Sequence, residues 1–255
     1  MKMERSLEGR TALVTGANGV LGSHFAQTLA RAGAAVAVAA RRIESLDRVI
    51  DAITDAGGRA ARVALDVTSP ASVASAFDQA ATALGPVTIV VNNAGIAVTK
   101  PLLEHTEEDW QSVIEVNLNG AWRVAQSAAR HMIQHQQGGS IVNIASILGL
   151  RVAAQVPSYA ATKAALIQLT KAMALELARH RIRVNALAPG YVETGINREF
   201  FASEAGQALI KRIPQRRVGK PEELDGPLLL LASDAGSHMT GTVLVVDGGH
   251  VVNTL

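Results

Sequence analysis

Seven short runs of β-branched and small apolar residues, separated by stretches with helical periodicity, constrain this 255-residue chain more than any other feature. They lie at Thr11 to Thr15, Ala35 to Ala39, Arg62 to Asp66, Val87 to Asn92, Ser140 to Ser146, Arg183 to Ala188 and Val243 to Val246. Strand-helix alternation of this kind predicts an α/β protein: a doubly wound parallel sheet of about seven strands with helices on both faces. Hydrophobic residues make up 48% of the chain and aromatics only 3%. The core must therefore be built from Ala, Val, Leu and Ile, and a chain of this length buries enough of them to stand as one domain spanning residues 1–255.

Helix starts carry their own signals, in Ser69 followed by Pro70 and in Thr106 followed by Glu107, Glu108 and Asp109. No repeat, low-complexity tract or linker divides the chain, and the stretch from Gly195 to Gly219 is its one long irregular interruption. A doubly wound sheet binds ligands beyond the carboxyl ends of its strands. Residues at those ends are the candidates for function.

The first run leads into Thr15-Gly16-Ala17-Asn18-Gly19-Val20-Leu21-Gly22, which opens a helix. Glycines there permit a tight turn and close backbone approach, while a helix amino terminus offers free N–H groups and a partial positive charge to a pyrophosphate. A glycine-rich turn is weak evidence in isolation; its place between first strand and first helix favours a dinucleotide. After the second run, Ala40 stands where a ribose-binding carboxylate is expected for NAD(H), and Arg41 and Arg42 follow. A missing acid beside two guanidinium groups favours the 2′-phosphate of NADP(H), by about ten- to hundredfold if one charge-assisted hydrogen bond of ~1.5–3 kcal/mol is gained. The plainer alternative is that both arginines solvate a helix start.

Ser146 closes the fifth run, and Tyr159 and Lys163 stand four apart on the following helix, which puts phenol and ammonium on one face. Lowering a phenol by about three pKa units takes ~4 kcal/mol, comparable to one unit charge at ~4 Å under an effective dielectric of ~20. One lysine, helped by the positive nicotinamide of an oxidised cofactor, is expected to supply it. Tyr159 then passes a proton to or from a substrate oxygen while hydride moves at carbon, and the Ser146 hydroxyl holds that oxygen. Taken alone, a Tyr/Lys pair reads more simply as an aromatic covered by a lysine stem.

The pair is accompanied by Asn92-Asn93-Ala94-Gly95, by Asn117 within Val116-Asn117-Leu118-Asn119-Gly120, by Pro189-Gly190-Tyr191-Val192-Glu193-Thr194, and by Val246-Asp247-Gly248-Gly249. In order and spacing, from about Leu7 to Gly249, these segments resemble the short-chain dehydrogenase/reductase family. The resemblance implies a Rossmann-type fold, a nicotinamide cofactor and a tetrad of Asn117, Ser146, Tyr159 and Lys163, with Asn117 anchoring a water that relays protons through Lys163. It further implies that Asp66 and Val67 meet the adenine end, that Asn93, Ala94 and Gly95 floor the cofactor site, and that Lys163 grips the nicotinamide ribose. Pro189, Gly190, Val192 and Thr194 would border the carboxamide. A homotetramer is implied too, with the helices around Asn117 and Tyr159 at one interface and the C-terminal segment at another. Val20 departs from the compact branch of the family, which carries its middle glycine there; Gly16, Gly19 and Gly22 reproduce the spacing of the extended branch. The expectation is an intact fold with cofactor affinity altered at the turn.

Other chemistries are set aside by what the chain lacks. There is no cysteine, hence no disulfide, thiolate metal site or thiol nucleophile. Lys and Arg number 24 against 22 Asp and Glu, and are spread along the sequence, which argues against a nucleic-acid surface. The charged start and the absence of a long apolar run predict a cytoplasmic protein with no membrane segment. Among seven histidines only His131 and His135 have close helical spacing; with no third ligand they read as a solvent-facing pair, and no metal is expected. The Gly195 to Gly219 stretch is expected to act as a substrate lid. Its apolar residues Ile196, Phe200, Phe201, Leu209 and Ile210 suit a small-molecule ketone or 3-oxoacyl compound, and Arg198, Lys211 and Arg212 could meet an anionic group. A sugar or polyol dehydrogenase and, on the same scaffold, a non-enzymatic nucleotide-binding regulator are the alternatives.

Overall fold

The computed structural model describes residues 6–194 and 198–252. Seven parallel strands form one sheet: β1 (Thr11–Thr15), β2 (Ala35–Ala40), β3 (Arg59–Ala64), β4 (Val87–Asn92), β5 (Gly139–Ile144), β6 (Ile182–Pro189) and β7 (Val243–Val246), in the spatial order β3-β2-β1-β4-β5-β6-β7. The order reverses between β1 and β4, so their carboxyl ends flank the topological crevice in which such sheets bind ligands.

Helices α1 (Val20–Arg31), α2 (Asp47–Asp55), α3 (Pro70–Leu84), α5 (Ala121–Gln134), α6 (Pro157–Leu177) and α9 (Asp225–Ala232) are distributed over the two faces, and α4 (Glu107–Ile114) precedes α5. The period-two logic of buried strands is visible in β1 and β2. Ala12, Val14, Val36 and Val38 enter the core shared with Phe25 and Leu29 of α1 and Leu228 of α9. Leu13, Ala37 and Ala39 enter the opposite core, with Phe77 of α3 and Val124 and Met132 of α5.

Two strands end earlier than the sequence suggests. The third run was expected over Arg62 to Asp66, but β3 stops at Ala64, which pairs with Ala40, the last residue of β2. An edge strand has one neighbour and cannot outrun it in the ladder. The fifth, expected to reach Ser146, stops at Ile144 opposite Leu187, because Ser146 instead accepts a hydrogen bond from the Leu148 N–H (3.1 Å) and begins a short 3-10 turn. Both local caps expected from sequence form: Ser69 accepts from Ser72 N–H at the start of α3, and Thr106 and Asp109 make a reciprocal capping box on α4.

The irregular stretch after β6 contains two short helices, α7 (Arg198–Ala202) and α8 (Glu204–Ile210), the latter capped by Ser203. Gly195 and Ile196 of the expected lid lie outside the described residues.

Candidate active site

The turn between β1 and α1 is shaped by contact. Gly16 has φ +62°, and a Cβ there would stand 3.0 Å from Ala94 Cα; a Cβ on Gly22 would stand 2.2 Å from the Gly16 carbonyl oxygen. Neither position can carry a side chain without moving backbone. Thr15 stitches this turn to the segment after β4, its hydroxyl accepting from the N–H groups of Asn93 (3.0 Å) and Ala94 (2.9 Å) while the Asn93 amide donates to the carbonyls of Thr15 and Gly16. Unlike α3, α4 and α8, α1 has neither a side-chain cap nor an acidic residue in its first turn. Its free N–H groups and partial positive charge are left for a ligand.

Gly16, Asn18, Arg41, Arg42, Asp66 and Val67 are among the residues lining a cleft of about 440 Å³ that continues past Ala94 and Gly95. Asp66 lies just beyond β3, its carboxylate accepting from the N–H and hydroxyl of Thr68 (2.9 and 2.7 Å), bonds that hold its pKa below the ordinary carboxylate value. It does not cap α3, which is the work of Ser69. Both arginine side chains are exposed, and neither guanidinium makes a hydrogen bond or ion pair among the described residues. A bare helix terminus, a turn that excludes side chains and two uncommitted cations fit a phosphorylated dinucleotide. Leu21 turns away and packs on the core. Val20, 41% exposed, borders a depression with Ser23 and Arg48 that adjoins the cleft at Asn18, and does not itself line the cleft.

Farther along the carboxyl edge, four groups converge. Residues Glu115–Gly120 form a π-helical turn between α4 and α5, a distortion that recurs at functional positions. It buries Asn117, whose carboxamide accepts from Ile96 N–H and donates to the Ile96 carbonyl, both at 2.8 Å, and reaches Thr162 Oγ1 at 3.3 Å. A Cβ on Gly95 would sit 3.3 Å from Asn117 Oδ1 and 3.8 Å from Lys163 Nζ, so loop, carboxamide and ammonium share one small space. Lys163 Nζ donates to the Ile144 carbonyl (2.7 Å) and stands 5.4 Å from the centre of the Tyr159 ring. The Ser146 hydroxyl is near enough to the phenol to favour its ionised form.

The electrostatics differ from the sequence argument. Burial raises Tyr159 above its ordinary value, with the Ser146 hydroxyl opposing, and pulls Lys163 down from 10.5 to about 8. Lysine and tyrosine are desolvated together, so removal from water outweighs the expected gain. In the protein alone Tyr159 is a protonated phenol, held beside a hydroxyl and a buried amine.

Pro189 ends β6, and the Gly190 N–H donates to the Val246 carbonyl (2.9 Å). The side chain of Val192 enters the core, and its backbone forms a parallel bridge with Gly219. Thr194 is the last residue described before the stretch expected to act as a lid. In α7, Phe201 is buried and Phe200 is 47% exposed.

Of the histidine pair only His135 faces solvent. His131 is 7% exposed and its Nε2 accepts the Val87 N–H (3.0 Å) at the amino end of β4, opposite the site. That bond requires a neutral ring, and burial, followed by His135, lowers the His131 pKa accordingly. No three potential metal ligands cluster among the described residues, and no described helix is long and apolar enough to cross a membrane.

Sequence reasoning missed Thr15, Ile96 and Thr162, which hold the site together. It also missed a buried chain in which Asn92 donates to the Ala121 carbonyl and to Asn143, and Asn143 donates to Thr170. The Asn92-Asn93 doublet was the one visible trace of both networks.

A doubly wound sheet with this turn, cleft and cluster of phenol, hydroxyl, amine and carboxamide defines a nicotinamide-dependent oxidoreductase. A family model described as enoyl-(acyl carrier protein) reductase matches residues 16–251. The chain is similar to the 2-dehydro-3-deoxy-D-gluconate 5-dehydrogenase of Escherichia coli, 38% identical over 245 residues and 96% of each chain. It is similar also to the 3-oxoacyl-(acyl-carrier-protein) reductase of Thermotoga maritima, 39% identical over 96% of this chain and 99% of that one. Its fold matches the crystal structure of a gluconate 5-dehydrogenase from Burkholderia cenocepacia in complex with NADP and tartrate, with a TM-score of 0.93, 39% identity and 100% of each chain covered. The chain belongs to the short-chain dehydrogenase/reductase family.

Proposed function

We propose that this protein is an NADP(H)-linked oxidoreductase that interconverts a ketone and a secondary alcohol, working in the direction of reduction. The observation that carries the reading is the convergence of Ser146, Tyr159, Lys163 and Asn117 at the carboxyl edge, where desolvation holds the Tyr159 phenol above its ordinary pKa and so suits it to give a proton to a carbonyl oxygen. Ser146, near the phenol, orients that oxygen. Lys163 is placed to return the proton lost by Tyr159, through a relay that Asn117 anchors. Bound NADPH supplies the hydride; the chain supplies binding, orientation and proton transfer.

Arg41 and Arg42, uncommitted beside the cleft, support the 2′-phosphate and hence NADP(H) over NAD(H). The solved relative from Burkholderia cenocepacia holds NADP. Relatives named for 3-oxoacyl thioesters and for sugar acids both fit a carbonyl reaction. Trp110 on α4 and Trp122 on α5, 37% and 44% exposed, support a subunit interface there, and so the expected homotetramer, which light scattering would test.

The decisive assay follows NADPH and NADH separately against ketones, 3-oxoacyl thioesters and keto sugar acids, with Tyr159→Phe beside the native protein. Turnover with NADPH that falls ~10²–10⁴-fold in the variant is the expected result. Full turnover in Tyr159→Phe would refute the mechanism, and binding of NADPH without turnover of any substrate would favour a regulatory protein on this scaffold.

A further inference from the structure

One patch of the carboxyl edge is unused by the mechanism above. Arg151 follows Ser146 by five residues, in the connection between β5 and α6, and its Nη1 donates to the His250 carbonyl at 2.5 Å. The His250 ring lies 5.5 Å from that of Tyr191, the second residue after β6, and Tyr191 meets Phe201 of α7 edge-on at 6.2 Å. The loop after Ser146, the end of β6, α7 and the segment after β7 are thereby drawn into one partly aromatic wall.

That wall carries positive charge. His250 is held below its ordinary pKa by burial first and then by Arg151, and Arg212 acts in the same sense. Asp247 opposes them, but both of its oxygens are already engaged, accepting from the N–H groups of Gly249 (2.8 Å) and Val251 (2.6 Å). Arg198, a sequence candidate for anion binding, is paired with Glu193 at 3.0 Å. Arg151 has no carboxylate partner among the described residues, and its one hydrogen bond leaves the rest of a planar fork of donors available.

We propose that Arg151 reads the charge of the substrate, whose class is a short keto acid, or the corresponding hydroxy acid, with its carboxylate on Arg151 while its carbonyl meets Tyr159 and Ser146. The inference rests on the carbonyl-reductase reading above. Five residues that include a 3-10 turn put the Cα atoms of Ser146 and Arg151 roughly 10 Å apart, a gap that a few carbons and the arginine's own side chain can span. A guanidinium matches a carboxylate in two parallel hydrogen bonds, which add geometric specificity to the attraction of charge. A neutral ketone of the same shape forgoes both bonds.

The test compares a keto acid with its methyl ester under NADPH, in the native protein, Arg151→Gln and Arg151→Lys. The ratio of kcat/KM for acid over ester is expected to lie well above one in the native protein and to fall ~10–100-fold in Arg151→Gln, through KM rather than kcat, with much of it restored in Arg151→Lys. A native ratio near one, or a ratio unmoved in Arg151→Gln, overturns the proposal. Calorimetric titration of the NADP-loaded native and Arg151→Gln proteins with the dicarboxylate tartrate reads anion capture without turnover. Affinity at least about tenfold weaker in the variant supports the proposal, and equal affinity overturns it. Failure of the redox reading would appear as absence of turnover with every ketone, whereas failure of this inference would leave turnover intact and indifferent to charge.

Discussion

The two ends of the carboxyl edge are built in different ways. Around β1 and β4 the cleft is made of short contiguous motifs, fastened backbone to backbone or through Thr15 and Asn93, and shaped by glycines that leave no room for a side chain. Around Arg151, Tyr191, Phe201 and His250 the wall is gathered from four segments as much as 99 residues apart, and held by ring contacts and one arginine-to-carbonyl bond. The first region presents backbone amides in fixed positions to a ligand of constant shape. The second can vary residue by residue, which is where a family with one cofactor chemistry and many substrates needs its freedom.

The contrast is most sharply tested at Gly22. Gly22→Ala forces a methyl group against the Gly16 carbonyl, and overpacking of that kind, at ~1–3 kcal/mol, is expected to weaken NADPH binding by about ten- to hundredfold. Fluorescence titration of the cofactor measures it; unchanged affinity would show that the turn is as tolerant as the wall.

Next in size is the pH dependence of reduction. Lys163 has a pKa near 8 in the folded chain, so its ammonium is present below that value and is lost as pH rises through it. With Lys163 as the group that reprotonates Tyr159, kcat for reduction should be flat toward neutrality and fall about tenfold per unit well above pH 8. A profile flat to pH 10 would remove Lys163 from the proton path.

Asn117 ties the loop after β4 to α6. Asn117→Ala deletes both bonds to Ile96, whose part-buried backbone groups must then turn to water, at ~1 kcal/mol per bond. The expected outcome is a lower Tm together with a fall in kcat larger than the change in NADPH affinity. Equal losses in both would mean that the carboxamide serves only to hold the loop.

The smallest effect belongs to Val20. Its side chain does not line the main cleft, so Val20→Gly should leave NADPH affinity within about twofold. A clear gain in affinity would restore the expectation that this residue narrows the turn.

Much of this was legible in the chain because it is local. The β-branched runs, the cap residues Ser69 and Thr106, the glycines at 16 and 22 and the four-residue spacing of Tyr159 and Lys163 depend on backbone geometry within a few residues, which sequence encodes directly. The end of β3 was misread because an edge strand stops where its neighbour stops, and that of β5 because Ser146 turns to the Leu148 N–H and opens a 3-10 turn. The orientation of His131 was misread because helical spacing says which residues share a face, not which face meets the Val87 N–H.

The sequence by itself determined the alternation of strands and helices, the positions of the motifs at the carboxyl edge, and the residue types available for proton transfer, since periodicity and spacing are properties of the chain. Tertiary structure alone decided that Thr15 locks the cofactor turn to β4, that Asn117 grips Ile96, and that Arg151 joins Tyr191 and His250 on one wall. It also decided the charge states of the site. Tyr159 and Lys163 are four residues apart in any helix, but whether lysine lowers the phenol or burial raises it depends on how much water the packed chain removes from both.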